Sequence, residues 1–153
     1  MISCWRIFNP KWPVEQAVSG AEAAKTGGRW NSVGNVMVYT SETLALATLE
    51  VLVHLDKKHI LDSYQKVELQ IPKELVLTAI EEDLPVDWDE RCLDPVSQQV
   101  GDMWLEELQS LALRVPSVII PEDNNILINP KHQDWDKVIV LEDTPFKLDK
   151  RLG

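Results

Sequence analysis

The chain predicts an α+β fold of small mixed β-sheets with a few helices packed on them. Short β-branched runs recur along its length, most of them closed by Pro or Asn. Two stretches, 42–55 and 95–113, carry apolar residues suited to substantial helices. No repeat, linker or low-complexity tract divides the sequence, so residues 1–153 read as one domain. That length suffices to bury roughly two-thirds of the unfolded surface.

In chain order, residues 4–8 (Cys-Trp-Arg-Ile-Phe) alternate as a strand ended by Asn9-Pro10. Trp5 and Ile7 then share one face, and Arg6 projects on the other with Cys4 and Phe8. Arg6 is either an edge arginine snorkelling to water or an anion ligand in a cleft. Residues 11–28 read as loop, with a helical turn at 22–25. Four of the six glycines lie between 20 and 34, which marks tight turns or close backbone approach to a ligand. The segment is not a phosphate-binding loop, because neither Gly-Lys-Ser/Thr nor Gly-x-Gly-x-x-Gly occurs.

After Gly27-Gly28-Arg29-Trp30-Asn31 and a turn at 33–35, residues 36–40 form a strand with Tyr39 near its end. Ser41 is the expected N-cap of a helix over 42–55, apolar almost all round and therefore expected to be buried. Glu50 in its middle needs a partner, since a buried unpaired carboxylate is costly.

Strands are expected at 65–71 and 75–80, and a solvated acidic loop at 81–89. A helix opens at Asp94-Pro95 and runs to about 113, with Val100, Met103, Trp104, Leu108 and Leu111 on its core stripe. Strands at 118–120, 126–128 and 138–141 follow, with a turn at Asn124-Asn125 and an edge strand in the tail 146–152.

The net charge of −10 argues against direct DNA binding, which needs a basic surface. A small anionic ligand remains open, since one or two arginines suffice for it. An acidic surface also suits a basic protein partner. No run of about 20 apolar residues suggests a membrane span, and the N-terminus lacks a signal-peptide layout. Cys4 and Cys92 make neither a disulfide framework nor a zinc set, and are read as buried thiols. A reduced cytoplasm is the expected location.

Arg29, Tyr39 and Glu50 together suit one chemistry. A guanidinium matches a pyrophosphate, an aromatic face a flat ring, and a carboxylate an oxocarbenium-like centre at a ribose. That set fits cleavage of an N-glycosidic bond whose leaving group is already cationic. The alternative is a structural Arg–Glu ion pair beside a core tyrosine. His54 lies one helical turn after Glu50, but no cluster completes a metal site. His59 and His132 read as isolated and exposed. Ser117 is no nucleophile elbow, because Gly-x-Ser-x-Gly is absent.

The segments Trp-Arg-Ile, Gly-Gly-Arg-Trp-Asn, Val-Met-Val-Tyr-Thr-Ser and Leu-Ala-Thr-Leu-Glu-Val-Leu-Val-His-Leu resemble the RES-domain toxins of bacterial RES–Xre toxin–antitoxin systems. So do Val100-Gly101-Asp102-x-Trp104, the Arg114-Val-Pro-Ser-Val-Ile-Ile-Pro run, Asn124-Asn-Ile-Leu-Ile-Asn-Pro and the tail, so the resemblance spans the chain. It implies a fold similar to ADP-ribosyltransferase toxins and consumption of NAD as substrate, by hydrolysis or phosphorolysis, with no metal. It further implies Glu50, Arg29 and Tyr39 as catalytic residues, and Arg6, Arg29, Tyr39, Ser117 and Asn129 as NAD contacts. For Asn129 the alternative is a turn residue before Pro130. The implied partner is an Xre-like antitoxin covering the active site, with a homodimer possible inside that complex. Transfer of ADP-ribose to a protein, or nucleotide binding without turnover, are the competing functions.

Overall fold

Two long antiparallel strands form the centre of the molecule, because their alternating residues give each an apolar face. β1 (Ile2–Phe8) pairs with β3 (Tyr64–Ile71) from Ile2↔Ile71 to Phe8↔Gln65. The computed structural model describes residues 1–54, 63–79, 84 and 95–152. Around that pair lie β2 (Val38–Ser41), β4 (Val76–Thr78), β5 (Ala112–Pro116), β6 (Asn124–Ile128), β7 (Ile139–Val140) and β8 (Thr144–Phe146). The fold class is α+β as expected, but the strands join one eight-stranded sheet rather than several small ones. Its order is β4-β5-β6-β2-β1-β3-β7, with β8 also on β3. Among the described residues, only β4 and β5 pair in parallel.

The pleat sorts side chains onto two faces. Cys4, Phe8, Val38, Val67, Leu69, Ile71, Ala112, Ile126 and Ile128 form one core, covered by Ala17 and Val18. The other face is divided. Trp30, Met37, Leu113, Val115 and Leu127 pack under Trp104 at one end, while Ile7, Tyr64 and Leu148 pack under Ala47 at the other. Helices α3 (Leu44–His54) and α4 (Pro95–Glu107) supply these two covers, and the register sets buried Ser41, opposite Trp5 and Asn125, in the seam between the two clusters.

Several expectations need correction. Residues 11–28 hold two short helices, α1 (Val14–Ala17) and α2 (Ala21–Thr26). Ser41 ends β2 instead of capping α3; the cap is Thr43, whose Oγ1 accepts the Leu46 N–H at 3.1 Å. Nor is α3 buried all round: Leu46 and Ala47 are buried, but Leu49 and Val53 are exposed. Glu50 is consequently half-buried.

α4 stops at Glu107 because Leu108 turns into the left-handed region at φ 55. Met103 and Leu108 are exposed, and Leu111 is buried in the connection to β5. β5 lies over 112–116, so 118–120 is loop, and Asn124 and Asn125 belong to β6 instead of a turn. The tail's strand is β8, followed by a single 3-10 turn at Lys150–Leu152.

His132 is buried, because the turn after β6 folds it inward: Nε2 meets the Leu108 carbonyl at 3.2 Å and Nδ1 accepts the Asp134 N–H at 3.0 Å. Cys4 is fully buried as expected. The acidic stretch 81–89 (apart from Leu84), Cys92 and His59 lie outside the described residues. Among the described residues, no helix is long and apolar enough to cross a membrane.

Candidate active site

The loop carrying Arg29 is built from backbone polar groups that its neighbours satisfy one by one. The Gly28 N–H donates to the Asn31 carbonyl at 2.9 Å, closing a tight turn. Fully buried Asn31 donates its side-chain amide to Ala23 O at 2.9 Å and Asn35 O at 3.1 Å. From below, the Tyr39 hydroxyl donates to Asn31 Oδ1 at 2.6 Å and accepts the Trp30 N–H at 3.0 Å. A Cβ on Gly28 would stand 2.7 Å from that hydroxyl, so the approach needs glycine.

From above, α4 clamps the same loop. Ser97 Oγ donates to Arg29 O and Gln98 Nε2 to Gly28 O, both at 2.9 Å. Asp102 accepts the Ser32 N–H at 3.0 Å and its hydroxyl at 2.6 Å. Gly101 lies so close to Trp30 that a Cβ would collide with its carbonyl. This is the physical content of Val100-Gly101-Asp102: one turn of α4 fitted to the arginine loop.

Across the seam stands Glu50. Ser117 Oγ donates to Glu50 Oε1 at 2.9 Å and Asn125 Nδ2 donates to the same oxygen at 2.7 Å. Oε2 has no hydrogen-bond donor among the described residues. Ser117 is fully buried at the end of β5, and its oxygen also accepts the Ile119 and Ile120 N–H groups at 3.1 and 3.2 Å. Asn125 is in turn held by Ser41, whose Oγ donates to Asn125 Oδ1 at 2.8 Å. Glu50 is therefore held by neutral donors, and no Arg–Glu ion pair anchors it among the described residues.

The sheet brings these residues together by register. Ser41 lies opposite Asn125 and Tyr39 opposite Leu127, while Val115 lies opposite Asn125. Tyr39 and Ser41 thus share a face, about 7 Å apart along β2, and Ser117 continues the Leu113–Val115 face of β5. Burial pushes the Tyr39 phenol above its ordinary range, the Trp30 N–H and the Arg29 charge oppose the shift, and Asp102 adds to it. The hydroxyl is a neutral strut for the loop, and the ring packs against the cluster of Trp30, Met37 and Leu127.

Two further expected contacts, Arg6 and Asn129, have their side-chain polar groups taken up by protein partners. Arg6 extends from the Cys4–Phe8 face of β1, and all three guanidinium nitrogens have protein partners: Nε to Ala17 O at 2.8 Å, one terminal nitrogen to Tyr39 O at 3.2 Å, the other to Glu22 at 2.7 Å. Burial lowers its pKa and Glu22 opposes that shift. Its contacts tie α1, α2 and β2 together. Asn129 spends its side chain on Leu105 O at 3.1 Å and the Lys131 N–H at 3.0 Å, a turn residue after β6. A separate open concavity of about 610 Å³, lined in part by Val18, Trp135 and Leu141, contains none of the seam residues.

Sequence reasoning missed Asn125, because Asn-Asn before an apolar run reads as a turn; only its register against Ser41 reveals it. Ser97 and Gln98 were hidden likewise, as ordinary polar residues of a helix, whereas Asp102 stood in the Val100-Gly101-Asp102 motif without its role being readable.

Residues 3–149 match the family described as the RES domain. The chain is 41% identical over 136 residues to the "Prs ADP-ribosylating toxin" of Sphingobium sp. (strain YBL2), spanning 86% of this chain and 84% of that protein. It is 34% identical over 149 residues to "Toxin Res" of Photorhabdus laumondii, spanning 97% and 95%. Among solved structures, the M. tuberculosis MbcT–MbcA toxin–antitoxin complex includes a chain of similar fold. The TM-score is 0.77 over 95% of this chain and 84% of that one, at 15% identity.

Proposed function

The chain belongs to the RES domain family, and we propose that it is the toxin of a toxin–antitoxin pair that cleaves the nicotinamide–ribose bond of NAD. The observation that carries this reading is the Glu50 carboxylate, fixed at Oε1 by Ser117 and Asn125, with no donor to Oε2 among the described residues. Nicotinamide in NAD is already cationic and departs as a neutral molecule, so no general acid is required. Positive charge then passes to the ribose, where a preorganised carboxylate stabilises it. Arg29, on its clamped loop, suits the pyrophosphate. The Tyr39 ring lies against the nicotinamide side, Ser117 orients Glu50, and Arg6 acts from behind by holding the loops. Asn129, buried with its side chain bonded to Leu105 O and the Lys131 N–H, acts through the turn after β6.

Addition of water at the freed ribose carbon gives ADP-ribose and a proton; addition of phosphate gives ADP-ribose phosphate. Such a substrate goes with a cytoplasmic site of action. An Xre-like antitoxin covering the seam is the proposed partner, with two toxin copies per complex, a stoichiometry that the mass of the co-purified assembly tests.

Nicotinamide release from NAD by the purified protein tests the assignment. Glu50→Gln and Arg29→Ala should each lower turnover at least a hundredfold with the thermal midpoint within a few degrees of wild type. Unchanged turnover in Glu50→Gln would sink it. A second reading, transfer of ADP-ribose to a cellular protein, is favoured by the printed name of the Sphingobium relative. Labelled NAD with lysate separates the two: label on protein means transfer, free ADP-ribose or its phosphate means degradation. NAD binding without nicotinamide release would favour a non-catalytic module instead.

A further inference from the structure

We infer that Asn125, locked by Ser41, is the residue that sets the orientation of the Glu50 carboxylate, and so is a positioning residue for NAD cleavage. The inference rests on the reading of Glu50 given above and goes beyond it in assigning work to two residues of the sheet. Its basis is a chain of hydrogen bonds with one consistent direction. A carboxylate only accepts, so the Asn125 group 2.7 Å from Oε1 must be the amide nitrogen. The amide oxygen then faces Ser41, which must donate to it, as it does at 2.8 Å. Ser41 is itself buried, 3% exposed, and sits directly opposite Asn125 in the β2–β6 register. The relay therefore stands on rigid paired strands, whereas Glu50 stands on a helix with an exposed outer face.

Ser117 alone would leave Oε1 with a single donor and the carboxylate free to rotate about its last bond. With Asn125 present, two donors, one on β6 and one just past the end of β5, converge on one oxygen and fix the plane of the carboxylate. Removing the amide should lower the rate of the chemical step more than the affinity for NAD, because a rotated carboxylate no longer faces the charge that develops on the ribose.

The test compares wild type, Glu50→Gln, Asn125→Ala, Asn125→Asp and Ser41→Ala in nicotinamide release across pH 5 to 9, with thermal midpoints measured alongside. Asn125→Ala should lower kcat at least tenfold and change KM less than threefold. Ser41→Ala should act in the same direction but more weakly. Asn125→Asp has nearly the same shape but sets a second carboxylate against Glu50, and two such groups resist double ionisation. Its acid limb should therefore move up by at least one pH unit. A merely structural role predicts parallel losses of midpoint and activity with an unshifted profile, and that result overturns the inference. So does wild-type kcat in Asn125→Ala. If Glu50→Gln also retains full turnover, the NAD reading falls with it; if Glu50→Gln is inactive while both Asn125 variants behave as wild type, only the inference falls.

Discussion

Tyr39 shows how a residue chosen for its ring can be held by its hydroxyl. Both hydrogen bonds of that hydroxyl go to the arginine loop, to Asn31 and to the Trp30 N–H, and Trp30 and Asn31 are themselves buried. Tyr39→Phe keeps the ring but removes both of these buried hydrogen bonds. The expected cost is about 1–3 kcal/mol, read in a urea melt, together with a drop in kcat/KM of at least tenfold as Arg29 loses its fixed loop. A silent Tyr39→Phe would mean that only the ring matters. At this scale Glu50 was legible in the sequence, because a carboxylate inside an apolar run demands partners. The identity of those partners was not. An ion pair with Arg29 satisfies the same demand on paper, and only register brings Ser117 and Asn125 to Oε1. Arg6 was legible as an arginine among apolar neighbours, but pattern alone does not reveal that Ala17, Tyr39 and Glu22 already occupy it.

Among the elements, strands with clean alternation were readable: 65–71 differs from β3 by one residue at its start. Elements whose ends depend on tertiary contacts were not. The helix expected to reach 113 stops six residues earlier, because Leu108 adopts a positive φ without a glycine to announce it. The strand expected at 118–120 lies at 112–116 instead, where pairing with β6 and β4 supplies partners that apolar character alone cannot locate. α4 also reverses a general preference. Gly→Ala inside a helix normally stabilises by up to about 1 kcal/mol. At Gly101 the added methyl meets the Trp30 carbonyl, so α4 must lift off the arginine loop and strain its bonds to Gly28, Arg29 and Ser32. Gly101→Ala should therefore destabilise by about 1–3 kcal/mol. The check is a urea midpoint that falls instead of rising, with KM for NAD increased. A higher midpoint would show that the fit of α4 to the loop is looser than the structure has it.

For the molecule as a whole, the central strands β1 and β3 couple the two faces of the sheet, and Cys4 reports on their integrity. Its thiol is fully buried, donates to Leu69 O at 3.7 Å, and is pushed from an ordinary value of 9.0 up to about 12. Burial is the largest cause; Thr40 opposes it by hydrogen bonding, and the charges of Glu68 and Glu42 add to it. A folded value above the unfolded one means that the native state keeps the proton longer. The stabilising contribution is thus fully present below pH 9.0 and is lost as pH rises toward about 12. Through that window this one group can remove up to about 1.4 kcal/mol per pH unit. Lysines and tyrosines also titrate there, so the informative quantity is the difference between wild type and Cys4→Ala. Urea unfolding of both at intervals from pH 8 to 11.5 should show a gap that is constant below pH 9 and narrows above it. A gap that stays constant to pH 11.5 would mean that the thiol ionises without opening the β1–β3 pair, and that the centre of the sheet admits water more readily than its packing implies.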